Sequence, residues 1–176
     1  MKALSLWQPW ATAVALRSKR IETRHWSTRY RGPLAIHAAK RLNRLELAEY
    51  QRTDHWCAAL NDAFNGNIRH LREVLPFGAI VATCNLVDCR PSESFGDEID
   101  RVQRADIGGW TERQMGNFGP ERFGWVLDDI QPLATPISFK GLQGLFDVPD
   151  ALLRGDTSPL LVVDARPPVG TRDLFE

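Results

Sequence analysis

The chain opens on alternation. Leu4 and Leu6 alternate with Ala3, Ser5 and Trp7, which predicts a strand over Lys2–Trp7. Pro9 fits the first turn of a helix, where its missing N–H has no intrahelical partner to lose. Trp10, Ala13, Val14 and Arg17 then share one face at helical spacing, so a helix is predicted from about Trp10 to Ser18. Arg20–Trp26 returns to a period of two, with Ile21, Thr23 and His25 pointing one way and Arg20, Glu22, Arg24 and Trp26 the other. After the turn at Arg31-Gly32-Pro33 comes a third strand, Leu34–Ala39, with Leu34 and Ile36 on one face and Ala35 and His37 on the opposite one.

The pattern then becomes helical. Two helices are predicted in residues 41–76, from about Arg44 to Phe64 and from Ile68 to Leu75, separated by Asn65-Gly66-Asn67 and closed by Pro76. Phe77–Cys89 is rich in Ile, Val and Thr and reads as a long strand. Pro91–Phe118 is polar and glycine-containing, which predicts loops around a short helix. Arg122–Leu133 is a further strand, with Phe123, Trp125 and Leu127 on one face, and Ile137–Phe139 extends the sheet. Strands interrupted by inserted helices fit an α+β fold built on one closed or nearly closed sheet; a doubly wound fold needs regular strand–helix alternation. The expected organisation is a barrel domain over residues 1–145, including the helical insertion at about 41–76, and a C-terminal extension over 146–176 packed on or beside the barrel.

Length and composition narrow the class. The 176 residues are enough for one domain with a real core, and six tryptophans with 25% charged residues exclude a disordered chain. No apolar run reaches the ~18–20 residues that span a bilayer, and the first residues lead directly into patterned sequence, so a cytoplasmic protein without a membrane partner is expected. Cys57, Cys84 and Cys89 are an odd number without a CxxC pair, consistent with a reducing compartment. The net charge of zero conceals an asymmetry. Residues 1–52 hold eleven Lys or Arg against three Asp or Glu, and the remainder carries the balancing acidic excess. Eighteen of the 22 cations are arginine, the side chain suited to bidentate phosphate contacts and to stacking. A basic face for an anionic ligand is one consequence; two oppositely charged surfaces without a special partner is the other.

The densest chemistry lies in the first forty residues. Trp7-Gln8-Pro9-Trp10 is followed by Lys19, Glu22, Arg24 and Trp26, then by Gly32-Pro33-Leu34-Ala35-Ile36-His37. Glu22 and Arg24, two apart on a strand, project from the same face, and Trp26 continues the row. An ammonium, a carboxylate and a guanidinium beside indoles suit a planar, hydrogen-bonding, phosphate-linked ligand. The ligand-binding candidates are therefore Trp7, Gln8, Trp10, Lys19, Glu22, Arg24, Trp26 and His37; if the protein is an enzyme, Lys19 and Glu22 are the catalytic candidates. Other chemistries lack their signatures. There is no P-loop, GxGxxG or GxSxG, and the four histidines lack metal-ligand spacing, so neither metal nor cofactor is expected. Asp97, Glu98 and Asp100 read as a solvated acidic loop.

These residues resemble the ASCH domain (activating signal cointegrator homology), a branch of the PUA-like superfamily. The resemblance rests on Ala3-Leu4-Ser5-Leu6-Trp7-Gln8-Pro9-Trp10, Lys19-x-x-Glu22-x-Arg24, Gly32-Pro33-Leu34-Ala35-Ile36-His37-Ala38, Phe77-Gly78-Ala79-Ile80-Val81 and Phe123-Gly124-Trp125-Val126-Leu127. The family motif is written GxKxxExR, and its glycine position is Arg17 here. Arginine makes the helix exit harder if that turn needs positive φ. The resemblance implies a PUA-like β-barrel with helices packed around it and a cleft beside the helix–strand junction.

Relatives in the superfamily bind RNA, so the resemblance implies RNA, single-stranded nucleic acid or a modified nucleoside as partner. Lys19 and Arg24 then meet phosphate or a base oxygen, Glu22 orients them or accepts from an exocyclic amine, and an indole stacks. Some small members look like amidohydrolases acting on N4-acylated cytidine, and others have been described as ribonucleases. In the amidohydrolases the lysine is matched by Lys19, while Glu22 stands where their threonine nucleophile stands, and a carboxylate cannot take over a hydroxyl's covalent role. A protein-interaction domain presenting the helical insertion is a third reading.

Overall fold

In a computed structural model, residues 1–41, 75–102 and 111–153 are described; both helices predicted within 41–76, and the chain beyond 153, lie outside the described residues. The elements run β1 (Lys2–Leu6), α1 (Trp10–Ala15), β2 (Ile21–Arg24), β3 (Gly32–Ala38), β4 (Ala79–Pro91), a 3-10 segment (Ser92–Asp100), α2 (Glu112–Met115), β5 (Phe123–Ser138), β6 (Leu145–Asp147) and α3 (Asp150–Leu153). The six strands form one mixed sheet in the order β2-β5-β4-β3-β1-β6, curled into a half-barrel. Among the described residues only β1 and β3 pair in parallel; the other pairings are antiparallel. The register shifts once between β3 and β4 and three times between β4 and β5, and such bulges increase local bend and twist.

Both faces of the sheet are covered, so strands that alternate in sequence are buried on each side. On one face Leu4, Leu6, Leu34, Ile36, Leu86, Trp125 and Leu127 pack with Trp10, Ala11 and Val14 of α1. On the other, Ala3, Ala35, Ile80 and Leu133 pack with Phe146 and Val148. The α+β barrel-like class follows from this arrangement, and the main sequence-predicted strands are in place.

Several strand ends shift by one or two residues, and two boundaries differ by more. The first helix ends at Ala15 rather than Ser18 because Arg17 adopts the left-handed conformation, φ 61°. β5 continues unbroken to Ser138, absorbing the separate extension expected at Ile137–Phe139. The start of the C-terminal extension packs on the sheet. β6 pairs with β1, Phe146 and Val148 are buried, and the N-terminal ammonium donates to the Val148 carbonyl at 2.9 Å and pairs with Asp150. Three residues with one inward Phe are too short to show a period, which is why β6 is not legible in the sequence.

Candidate functional site

The site begins at the exit of α1. Arg17 N–H donates to the Val14 carbonyl at 2.8 Å and Ser18 N–H to the Ala13 carbonyl at 3.0 Å. This pair of bonds around a left-handed residue is the Schellman motif, whose left-handed position is usually glycine. Arg17 occupies it at a backbone cost of roughly 1–2 kcal/mol, partly offset by the bond from its Nε to the Ile130 carbonyl at 2.9 Å. The turn delivers Lys19 inward at the start of β2.

Lys19 is fully buried, at 0% exposure. Its Nζ donates to the carbonyls of Ile21 at 2.6 Å and Met115 at 2.9 Å, and lies 3.5 Å from Glu22 Oε2. An ammonium carries three N–H donors, and three acceptors surround this one. Gly116 makes the close approach possible: a Cβ there would sit 3.2 Å from Nζ and 3.0 Å from the Phe118 ring. The other oxygen of Glu22 lies 3.1 Å from Arg24 Nε, and Arg24 Nη2 donates to the Ser5 carbonyl at 2.5 Å, beyond the end of the β1–β6 pairing.

A second carboxylate lies behind Lys19. Glu112, on α2, is buried and accepts from the backbone N–H groups of Arg20 at 2.5 Å and Ile21 at 3.1 Å, one on each oxygen. Burial pushes its carboxyl up from the ordinary glutamate range, opposed by the Lys19 charge and by these two donors. Charges therefore alternate from Glu112 through Lys19 and Glu22 to Arg24. Sequence reasoning missed Glu112. The Thr111-x-x-Gln114 spacing marks a helix start, with Thr111 N–H donating to Gln114 Oε1 at 2.8 Å, but nothing local announces that the intervening acid turns inward.

The cluster opens onto a cleft of about 690 Å³, in the range of small-molecule sites. Trp7 stands at its rim with 45% exposure. Trp10 and Trp26 also border it but are engaged in packing: Trp10, on α1, is part of the core, and the partly buried Trp26 packs against that core and meets Trp125 edge to face, ring centres 4.6 Å apart. Five sequence candidates besides Trp7 thus converge here: Trp10, Lys19, Glu22, Arg24 and Trp26.

Gln8 and His37 do not join them. Gln8 is buried and bonds the Pro76 carbonyl at 2.7 Å and Thr12, bracing the start of α1. His37 faces the other side of the sheet, where Nδ1 meets Ser5 Oγ and Nε2 meets the Phe139 carbonyl, each at 3.0 Å. Because Nε2 faces an acceptor it carries the proton, and burial holds the imidazole below its ordinary value of 6.5 against the opposing pull of that carbonyl. The residues between β5 and β6 close over it; a Cβ on Gly141 would overlap the His37 ring.

The cleft also holds residues the sequence did not single out. Asn117, Arg122, Leu142 and Gln143 line it, the first two from the segment leading into β5 and the last two from the β5–β6 connection. Among the described residues no three His, Cys, Asp or Glu side chains cluster as a metal site, and no helix is long and apolar enough to cross a membrane. The acidic loop is engaged in ion pairs, Glu98 with Arg90 and Asp100 with Arg113.

The ASCH domain model matches residues 4–123, the stretch that builds β1 through the start of β5 and with them the cleft. The chain belongs to the ASCH domain family. That family is related to PUA-like RNA-binding domains. Over 102 residues the chain is 29% identical to activating signal cointegrator 1 of Homo sapiens and, equally, of Mus musculus; the match covers 57% of this chain and 16% of those proteins, so it spans about a sixth of their length. The crystal structure of ASCH from Zymomonas mobilis has the same fold, with a TM-score of 0.52, 16% identity, and 91% of this chain and 97% of that one covered.

Proposed function

We propose that this ASCH domain binds single-stranded nucleic acid, RNA foremost, with one nucleotide seated in the cleft. The observation that carries the reading is the convergence of Glu22 and Arg24 on an open cavity with the half-exposed indole of Trp7 at its mouth. A guanidinium pairs with phosphate, a carboxylate accepts from base N–H groups, and an indole face stacks on a base for ~1–3 kcal/mol. The kinship of ASCH domains with RNA-binding PUA-like domains points the same way.

Lys19 has a different role from the one its charge suggests. Buried, with Nζ bonded to two backbone carbonyls and paired with Glu22, it is turned toward the protein rather than toward a phosphate in the cleft. It holds Glu22 in place. This weighs against a hydrolase that uses Lys19 as general base.

The test is affinity for single-stranded RNA and DNA oligonucleotides as a function of salt. Binding falls steeply as salt rises, and Arg24→Gln weakens it while reducing the log–log slope by about one. No binding at low salt, or binding flat in salt, overturns the reading.

A further inference from the structure

We propose that Asn117 is a specificity-determining residue of the cleft, donating from Nδ2 to an acceptor on the pairing edge of an unpaired base while Glu22 accepts an N–H from the same edge. This deepens the nucleotide-binding reading and rests on it.

The orientation of Asn117 is fixed by chemistry. Gly119 N–H donates to Asn117 Oδ1 at 3.0 Å, and only the oxygen of a side-chain amide can accept, so Nδ2 faces the other way. The fit is close, because a Cβ on Gly119 would stand 3.1 Å from that oxygen. The Asn117 backbone N–H donates to Thr23 Oγ1 at 3.2 Å, which ties the residue to the strand position next to Glu22. Asn117 is solvent-exposed and lines the cleft, and its Nδ2 makes no hydrogen bond among the described residues. Asn117 and Glu22 thus line one cavity, and with Oδ1 engaged by Gly119 the amide group Asn117 has left to offer is the Nδ2 donor.

Arg122 reinforces this wall. Its Nη2 donates to the Thr23 carbonyl at 3.0 Å, and its Nε is buried without an acceptor. Thr23 therefore anchors two donors, one through its hydroxyl and one through its carbonyl.

The carboxylate decides the ligand class. A site for phosphate alone gains nothing from Glu22, which repels an anion placed beside it. A ligand that offers an N–H to Glu22 and an acceptor to Asn117, with its phosphate toward the arginines, uses every group. The pairing edge of a nucleobase carries such a donor beside an acceptor, and in a duplex that edge is occupied. The site accordingly takes an unpaired base.

The experiment uses the full chain and three probes: uridine monophosphate, its analogue methylated at the ring N–H, and ribose phosphate. The wild type binds uridine monophosphate at least about tenfold more tightly than either of the others. Asn117→Asp keeps the oxygen that faces Gly119 and replaces the donor by an acceptor; Asn117→Ala removes the donor without adding charge. Both variants, with unchanged thermal unfolding, lose the preference for uridine monophosphate over ribose phosphate. If both variants retain it, or if the wild type binds ribose phosphate equally well, edge reading is overturned while an anion-binding cleft stands. If the wild type binds none of the probes or any oligonucleotide, the nucleotide-binding reading itself falls.

Discussion

Two polar clusters sit on this sheet, and they have opposite fates. On β2, Glu22 and Arg24 border an open cleft, backed by the buried Lys19 and Glu112. Across β1 and β3, Ser5 and His37 form a hydroxyl–imidazole pair at 3.0 Å, the spacing expected of a nucleophile and its base. There, however, the chain between β5 and β6 closes over the imidazole, and Ser5 alone of the pair also lines the cleft. His37 Nε2 donates to the Phe139 carbonyl, the Ser5 hydroxyl has its one proton to share between His37 Nδ1 at 3.0 Å and the Leu142 carbonyl at 3.1 Å, and Gly141 lies against the ring. The first cluster commits its inner charges to one another and leaves its outer groups facing a cavity. The second satisfies its groups against backbone carbonyls and serves packing. Reactive-looking side chains at contact distance do not make a site; unspent hydrogen-bonding capacity facing open space does.

The largest effect separating the clusters is on stability. Lys19→Met leaves two carbonyls without their donor and strips Glu22 and Glu112 of the charge between them, so urea denaturation shows a loss of about 3–5 kcal/mol. The Glu112 carboxyl rises further once the opposing ammonium is gone. A loss below about 1 kcal/mol would show that Lys19 is not the buried keystone of the cluster.

A smaller effect belongs to His37. Its folded-state value is lowered, so the folded protein binds fewer protons than the unfolded chain between that value and 6.5. Stability from this group is complete above about pH 6.5 and is lost as the pH falls toward the folded-state value. Unfolding free energies measured across this range decline toward acid for the wild type, and His37→Gln flattens that part of the profile. An unchanged slope in the variant would remove His37 from the account.

The smallest effect is at the helix exit. Arg17→Ala loses the bond to the Ile130 carbonyl and keeps the backbone strain, costing about 1 kcal/mol. Arg17→Gly loses the same bond but relieves the strain, so it is the more stable of the two by about 1 kcal/mol. Equal stability would mean the left-handed turn costs nothing.

Much of this was legible before any coordinates. The alternation of Leu4 with Leu6 and of Ile21 with Thr23 places β1 and β2, and the Lys19-x-x-Glu22-x-Arg24 spacing brings its three side chains together. The Arg17 position also reads correctly as a strained helix exit. What stayed hidden depends on distant segments. Glu112 reaches the backbone of Arg20 and Ile21 across more than ninety residues, and Asn117 and Arg122 join the cleft through Thr23. His37 and Gln8 sit within the motif-rich stretch, yet the pleat sends His37 to the other side of the sheet and the start of α1 absorbs Gln8. Sequence proximity groups residues that a two-faced sheet divides.

The most direct measurement of the central claim follows the indole N–H resonances during titration with a single-stranded RNA oligonucleotide at low salt. Trp7 stands at the cleft rim, whereas Trp125 is fully buried and its Nε1 donates to the Trp26 carbonyl at 3.2 Å. The account predicts that the Trp7 signal shifts or broadens in step with binding while Trp125 stays in place. Binding that leaves Trp7 unmoved would put the nucleic acid elsewhere on the molecule and contradict it.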